Sequence, residues 1–291
     1  GGLAQYYDKI VNGMTSRGYQ REFAEAIFEQ IKGFSEYGFP ESHAASFALL
    51  VYASCWIKCH HPAEFLAAML NSQPLGFYSA SQLVQDAKRH GVEVRRVDVM
   101  SSEWDCTLEG LPHPPAVRLG LRLVVGLKAE SALRILKARR ERPFDGAEDL
   151  ARRAEIEQHE MTLLAAADAL MSLAGHRRQQ VWEAAGQRSA PQLLKQAPVN
   201  EEELELPAAP EGEEVVWDYA ATGLTLRRHP LAILRPVLAK QGWCTAAELH
   251  DLPDGRLARA CGIVTVRQQP ETAKGGMFVS LEDETGSVQV I

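Results

Sequence analysis

The sequence predicts a multidomain, mainly α-helical chain that finishes in a small β domain. Three observations carry that expectation. Apolar residues recur at helical spacings from Phe23 onward, glycines and prolines break those runs at short intervals, and the period changes to two near the end, where Met277, Val279 and Leu281 alternate with other residues. A length of 291 residues fits about two domains, with three small ones allowed, and 46% apolar residues supply sizeable cores.

In chain order, residues 21–32 place Phe23, Ile27 and Ile31 on one face of a helix, with Gly33 just past its end. A loop containing Pro40 follows. Ser42 is a natural N-cap for the next helix, and His43 sits in its first turn. From Ala44 to Ile57 that helix is apolar on nearly all sides, which predicts burial. Cys55 and Cys59 share a helical face ahead of His60 and His61, yet no second ligand pair follows at finger-like spacing. We therefore expect no zinc there, only small buried cysteines and a histidine pair at a helix C-terminus. Pro62 opens a helix to about Leu70, residues 82–89 form another that Gly91 stops, and Val92, Val94 and Val97 outline a short strand. The proline-rich residues 111–115 mark a turn or domain edge.

Function concentrates in residues 116–142. Val117, Leu119 and Leu121 alternate as an extended segment, a helical turn follows, Gly126-Leu127-Lys128 makes a tight corner, and a longer helix starts near Glu130. In a helix-hairpin-helix, the corner offers backbone N–H groups and the second helix adds its positive N-terminus, so a phosphate is held without base readout. Lys128 stands where a cation opposes the helix dipole unless an anion lies nearby. We expect Gly126, Leu127, Lys128 and Ala129, with Arg134 and Lys137 on the following helix, to bind DNA phosphates. The alternative is an ordinary turn with a solvated basic face.

Further helices begin near Asp145 and cover 157–166 and 177–185, with a second corner between the last two. That corner, Asp168-Ala169-Leu170, lacks glycine, so its hairpin is expected to be a structural partner without phosphate contacts. Residues 187–216 read as an acidic flexible linker. Helical pieces flank Pro230. Residues 257–266, 277–281 and 288–291 then read as three strands, with a hairpin turn at Glu284-Thr285-Gly286-Ser287. An OB-fold has five strands, so the β domain reads as truncated.

The net charge of −7 argues against nucleic acid until its distribution is considered. Seven glutamates lie within 201–214 with no Lys or Arg, so the rest of the chain sums to zero. From Arg118 to Arg178, twelve basic residues stand against nine acidic ones, a modest excess. Five scattered cysteines suit reduced thiols in a cytoplasm, no export is expected, and no apolar run of about 18 residues is present.

Five segments carry a resemblance: Gly33-Phe-Ser-Glu-Tyr-Gly-Phe-Pro-Glu-Ser-His-Ala-Ala-Ser-Phe-Ala-Leu-Leu50, His61-Pro-Ala-Glu-Phe-Leu-Ala-Ala-Met-Leu-Asn71, Ala221-Thr-Gly-Leu-Thr-Leu-Arg-Arg-His-Pro230, Gly262-Ile-Val-Thr-Val-Arg-Gln-Gln269 and Leu281-Glu-Asp-Glu-Thr-Gly286. In the same order they resemble the C-terminal part of a bacterial C-family DNA polymerase, the polymerase III alpha-subunit family, in its error-prone, damage-response (ImuC-type) branch. The resemblance implies the end of a fingers domain over 1–115, a tandem helix-hairpin-helix domain over 116–186, the linker over 187–216, and a helical connector with the start of an OB domain over 217–291. It implies Mg2+ only for an upstream palm, which nothing in this sequence resembles, so no catalytic residue, metal or cofactor is expected here.

Ser42 and His43 carry over as nucleotide-facing positions of the fingers. Glu41 stands where replicative members tend to have Lys, and Lys128 where they have a second hairpin glycine. Expected partners are DNA, both primer–template and single-stranded, and the proteins of a damage-response polymerase complex. The nearest match to a clamp-binding peptide, Gln192-Leu193-Leu194-Lys195, lacks an aromatic anchor, so sliding-clamp binding is expected to be weak or absent. A non-catalytic protein scaffold is the competing reading. A DNA ligase fragment is set aside, because Leu252 stands at the lysine position of its Lys-x-Asp-Gly motif.

Overall fold

Gly1–His61 and Pro62–Ile291 form two separate units. The structure, a computed structural model, describes residues 6–36, 41–76, 78–110, 114–186, 204–269 and 275–291, without the side chains of 33–36 and 41–43.

The first unit contains α1 (Tyr7–Thr15), α2 (Arg21–Glu36) and α3 (Glu41–His60). Its core is small: Val11, Ala24 and Phe28 are buried, with the Tyr7 ring edge-on to Phe28 at 5.0 Å between centroids. Two sequence expectations are corrected here. The second helix runs through Gly33, since one interior glycine costs only about 1 kcal/mol relative to alanine. The third begins at Glu41, so Ser42 lies inside its first turn and is not the N-cap.

The larger correction concerns the burial of α3. Every side chain from Ala44 to His60 is exposed, Cys55 and Cys59 included, and Leu49 and Tyr52 retain 70% and 71% of their accessible surface. Uniform apolarity states that a helix should be enclosed but not by what, and within this unit the packed core lies between α1 and α2.

The second unit opens with α4 (Pro62–Asn71) and α5 (Ala80–Arg89), the latter started by a reciprocal Ser79–Gln82 capping box. A small sheet follows, of β1 (Val94–Arg95), β2 (Thr107–Glu109) and β3 (Ala116–Arg118). Strand β3 is central, parallel to β1 and antiparallel to β2. The chain then makes a 3-10 turn at Leu121–Leu123 and continues through α6 (Ala129–Glu141), α7 (Ala147–Arg153), α8 (Gln158–Ala166), α9 (Met171–Ala174), α10 (Arg177–Gly186) and α11 (Glu211–Thr222). Gly120 admits no side chain, since a Cβ there would lie 2.4 Å from the Trp104 carbonyl oxygen.

Leu66 and Leu70 of α4, Val117 and Leu119 around β3, Ile135 of α6, Leu164 of α8 and Leu224 after α11 are buried in one continuous cluster. That core runs without a break across positions 115/116 and 216/217. Pairing of β3 with β1 ties the two sides of the first together, and burial of Ala221 and Leu224 ties the second. The acidic linker also ends earlier than expected: Glu211, Glu213 and Glu214 form the first turn of α11, where carboxylates favour the helix dipole.

Beyond α12 (Pro230–Lys240) and α13 (Ala246–His250), β4 (Ile263–Gln268), β5 (Phe278–Glu282) and β6 (Ser287–Val290) form an antiparallel sheet in that order, with a bulge between Val264 and Val266. The first of these strands begins at Ile263, not at Leu257, which is 99% exposed. The turn between β5 and β6 is organised by Asp283, whose carboxylate accepts from the Thr285 and Gly286 amides and the Thr285 hydroxyl. The molecule is thus mainly helical with two small sheets.

Candidate DNA-phosphate interface

The corner before α6 is built by one glycine and one leucine. Gly126 has φ +84°, a backbone conformation that selects glycine, and Leu163 Cδ1 would lie 3.3 Å from a Cβ there. Leu127 is buried and anchors the corner in the core, its amide donating to the Val124 carbonyl at 3.2 Å. Lys128 is the N-cap of α6 in an extended conformation, with no side-chain cap on the first turn. Among the described residues, the amides of Gly126, Lys128 and Ala129 find no acceptor. The Val125 amide does, donating to Ala221 O of α11 at 2.8 Å. Free amides at a helix start suit an anion, although the first turn also carries Glu130.

The cations around this corner divide sharply. Ten of the twelve basic residues between Arg118 and Arg178 are in ion pairs, and among the described residues the side chains of Lys128 and Lys137 have neither an ion-pair nor a hydrogen-bond partner. Arg134 donates to Ala154 O (3.0 Å), Glu155 O (3.2 Å) and Glu160 Oε2 (3.2 Å), stapling α6 to the bend before α8. These bonds tie its guanidinium to the fold. Arg139 likewise holds Val99 O, Ser102 O and Glu103. Lys137 stands on the open side of α6, lining a shallow groove of 310 Å3 with Leu133 and Arg140. It lies about 12 Å along the helix axis from the corner.

Two carboxylates stabilise this scaffold. Asp149 gathers Arg142, Arg152 and Arg153 within 3.2 Å. Burial pushes its pKa up, but the hydrogen bonds from Arg153 and Arg152 outweigh that and hold it below the usual carboxylate range. Glu160 is also depressed: burial raises it, while the Ser131 hydroxyl, the Glu157 amide, Arg134 and Lys128 together lower it further.

The second corner is closed. Asp168 takes the left-handed conformation (φ +58°) that glycine supplies in the first, an option short polar side chains tolerate. Its carboxylate accepts from Gln180 Nε2 at 2.7 Å and from Arg96 and Arg227 at 3.1 Å each. At the start of α10, Arg177 is 3% exposed and bonds Glu214 at 3.0 Å and Asp218, both from α11. The Asp168 carboxylate is thus occupied by Arg96, Arg227 and Gln180, and the Arg177 guanidinium by Glu214 and Asp218. Sequence reading missed this network, although an Asp where a corner needs positive φ was a usable signal.

Of the other expected positions, Ser42 and His43 fall among the side chains not described, and Gln192 to Lys195 lie outside the described residues. Trp56 packs its ring on His60 and His61 at 4.6 and 5.6 Å. Among the described residues, no three His, Cys, Asp or Glu side chains gather as metal ligands, and no helix is long and apolar enough to cross a membrane.

Residues 91–180 match the family described as helix-hairpin-helix motif, a span that crosses the 115/116 position within the common core. Over its whole length the chain is 56% identical to an error-prone DNA polymerase of Bordetella parapertussis, 54% to one of Aromatoleum aromaticum and 50% to one of Methylococcus capsulatus. The chain matches the C-terminal part of error-prone DNA polymerases. It spans 28% of the first two relatives and 30% of the third.

Proposed function

We propose that this chain is the DNA-holding portion of an error-prone polymerase acting in translesion synthesis, and that its first hairpin grips the phosphodiester backbone without sequence preference. The observation that carries this reading is the Gly126–Ala129 corner, with its unpaired amides beside an uncommitted Lys128. The helix-hairpin-helix match and the polymerase relatives support it. Nucleotidyl transfer belongs, on this reading, to a palm elsewhere in the longer protein, which would bind the Mg2+. The fingers positions Ser42 and His43 would face the incoming nucleotide. The β4–β6 sheet would be the start of an OB domain. Proteins of the damage-response complex, more than the sliding clamp, would recruit the polymerase in the cytoplasm.

The scaffold reading keeps one specific support, that the charged groups of the second corner, Asp168 and Arg177, are already paired within the protein. Titration of labelled duplex DNA over a range of salt concentrations separates the two. Replacing Lys128 with Ala should reduce the slope of log affinity against log salt by about 0.9, the value of one phosphate contact. An unchanged slope removes the hairpin from the DNA interface. The chain alone should show no magnesium-dependent primer extension.

A further inference from the structure

Among the described residues, the side chains of helix α3 from Ala44 to His60 stay exposed despite their composition. From Ser42 to Ile57 it contains no Asp, Glu, Lys or Arg, a stretch of about 24 Å along the axis. Leu49, Leu50, Val51, Tyr52, Trp56 and Ile57 are between 42% and 71% exposed, and they spread around the whole circumference. The unit containing α3 buries only Val11, Ala24 and Phe28 among its described residues. A lipid bilayer is a poor occupant, because the helix is not apolar enough over a spanning length. A single groove is also insufficient, since apolar side chains on every side call for enclosure from several directions.

The available polypeptide has the required size. More than two thirds of each relative's length lies outside the match, and the matched part is C-terminal. We propose that α3 is a central helix of an interface within the full-length polymerase, enclosed by the polypeptide that precedes this chain. This rests on the polymerase reading above. It adds that Gly1–His61 is completed only in the longer protein, while Pro62–Ile291 carries its own core.

Cys55 and Cys59, exposed on α3, report directly on the enclosure, and buried Cys106 provides a folded control. A short pulse of N-ethylmaleimide, with the alkylated thiols mapped by mass spectrometry, should be applied to the 291-residue chain and to the full-length protein. The expected result is at least tenfold faster alkylation of Cys55 and Cys59 in the short chain, with Cys106 slow in both. Equal rates at Cys55 and Cys59 in the two proteins overturn the proposal. Protection in the short chain that grows with its concentration identifies a second copy as the occupant and also overturns it. So does protection at every dilution, which would place the cover within residues 1–291. Primer extension by the same full-length sample tests the polymerase reading separately, since thiol protection does not depend on activity.

Discussion

The division of labour between Arg134 and Lys137, three residues apart on α6, makes the sharpest prediction. Arg134 is 38% exposed and holds two carbonyls and the Glu160 carboxylate. Hydrogen bonds to a charged group each contribute about 1.5–3 kcal/mol. Glu160 keeps its Ser131 hydroxyl and Glu157 amide when the guanidinium is removed, and partial exposure reduces the loss further. Arg134→Ala should therefore cost about 2–3 kcal/mol. In a unit of this size that lowers Tm by about 4–10 °C. Lys137 holds nothing, so Lys137→Ala should stay within about 0.5 kcal/mol of the parent. For DNA the order reverses: Lys137→Ala should flatten the salt dependence by about 0.9, while Arg134→Ala, assayed well below its Tm, should leave it unchanged. Circular dichroism melts and fluorescence anisotropy against salt measure the two quantities. A flattened slope for Arg134→Ala at an unchanged Tm would refute the assignment of arginines to the fold and lysines to DNA.

Asp168→Asn retains the left-handed corner but leaves Arg96 and Arg227 without their carboxylate, and it should cost about 3 kcal/mol in urea unfolding. A cost below about 1 kcal/mol would show that the α11 clamp does not depend on this charge. For Asp149 the folded pKa is depressed, so its stabilisation is present above the unfolded value of about 3.9 and is lost as pH falls through the lower folded value. Asp149→Asn should accordingly be less stable at neutral pH and lose less on acidification below about pH 4. Parallel stability curves for the two proteins in that range would contradict the sign.

The sequence by itself determined the helices, their order, the glycine corner and the change to period two near the end. These features depend on local rules: Gly126 is required by a positive φ, Ser79 and Gln82 by the free amides of a helix start, and Gly286 by a tight turn. The tertiary structure alone decided which charges were spent. Arg134 and Lys137 look alike in sequence, and only the bend carrying Ala154, Glu155 and Glu160 withdraws one of them. It also built one core across positions 115/116 and 216/217, because Leu224 joins Leu66, far away in sequence. The acidic block likewise looked like a linker until Arg177 and Arg227 were placed against Glu214. Local composition specifies that a carboxylate needs a partner or an apolar helix a cover. Only the packing of distant segments supplies the partner, since a charge is neutralised, and a surface buried, by whatever folding brings within a few ångströms.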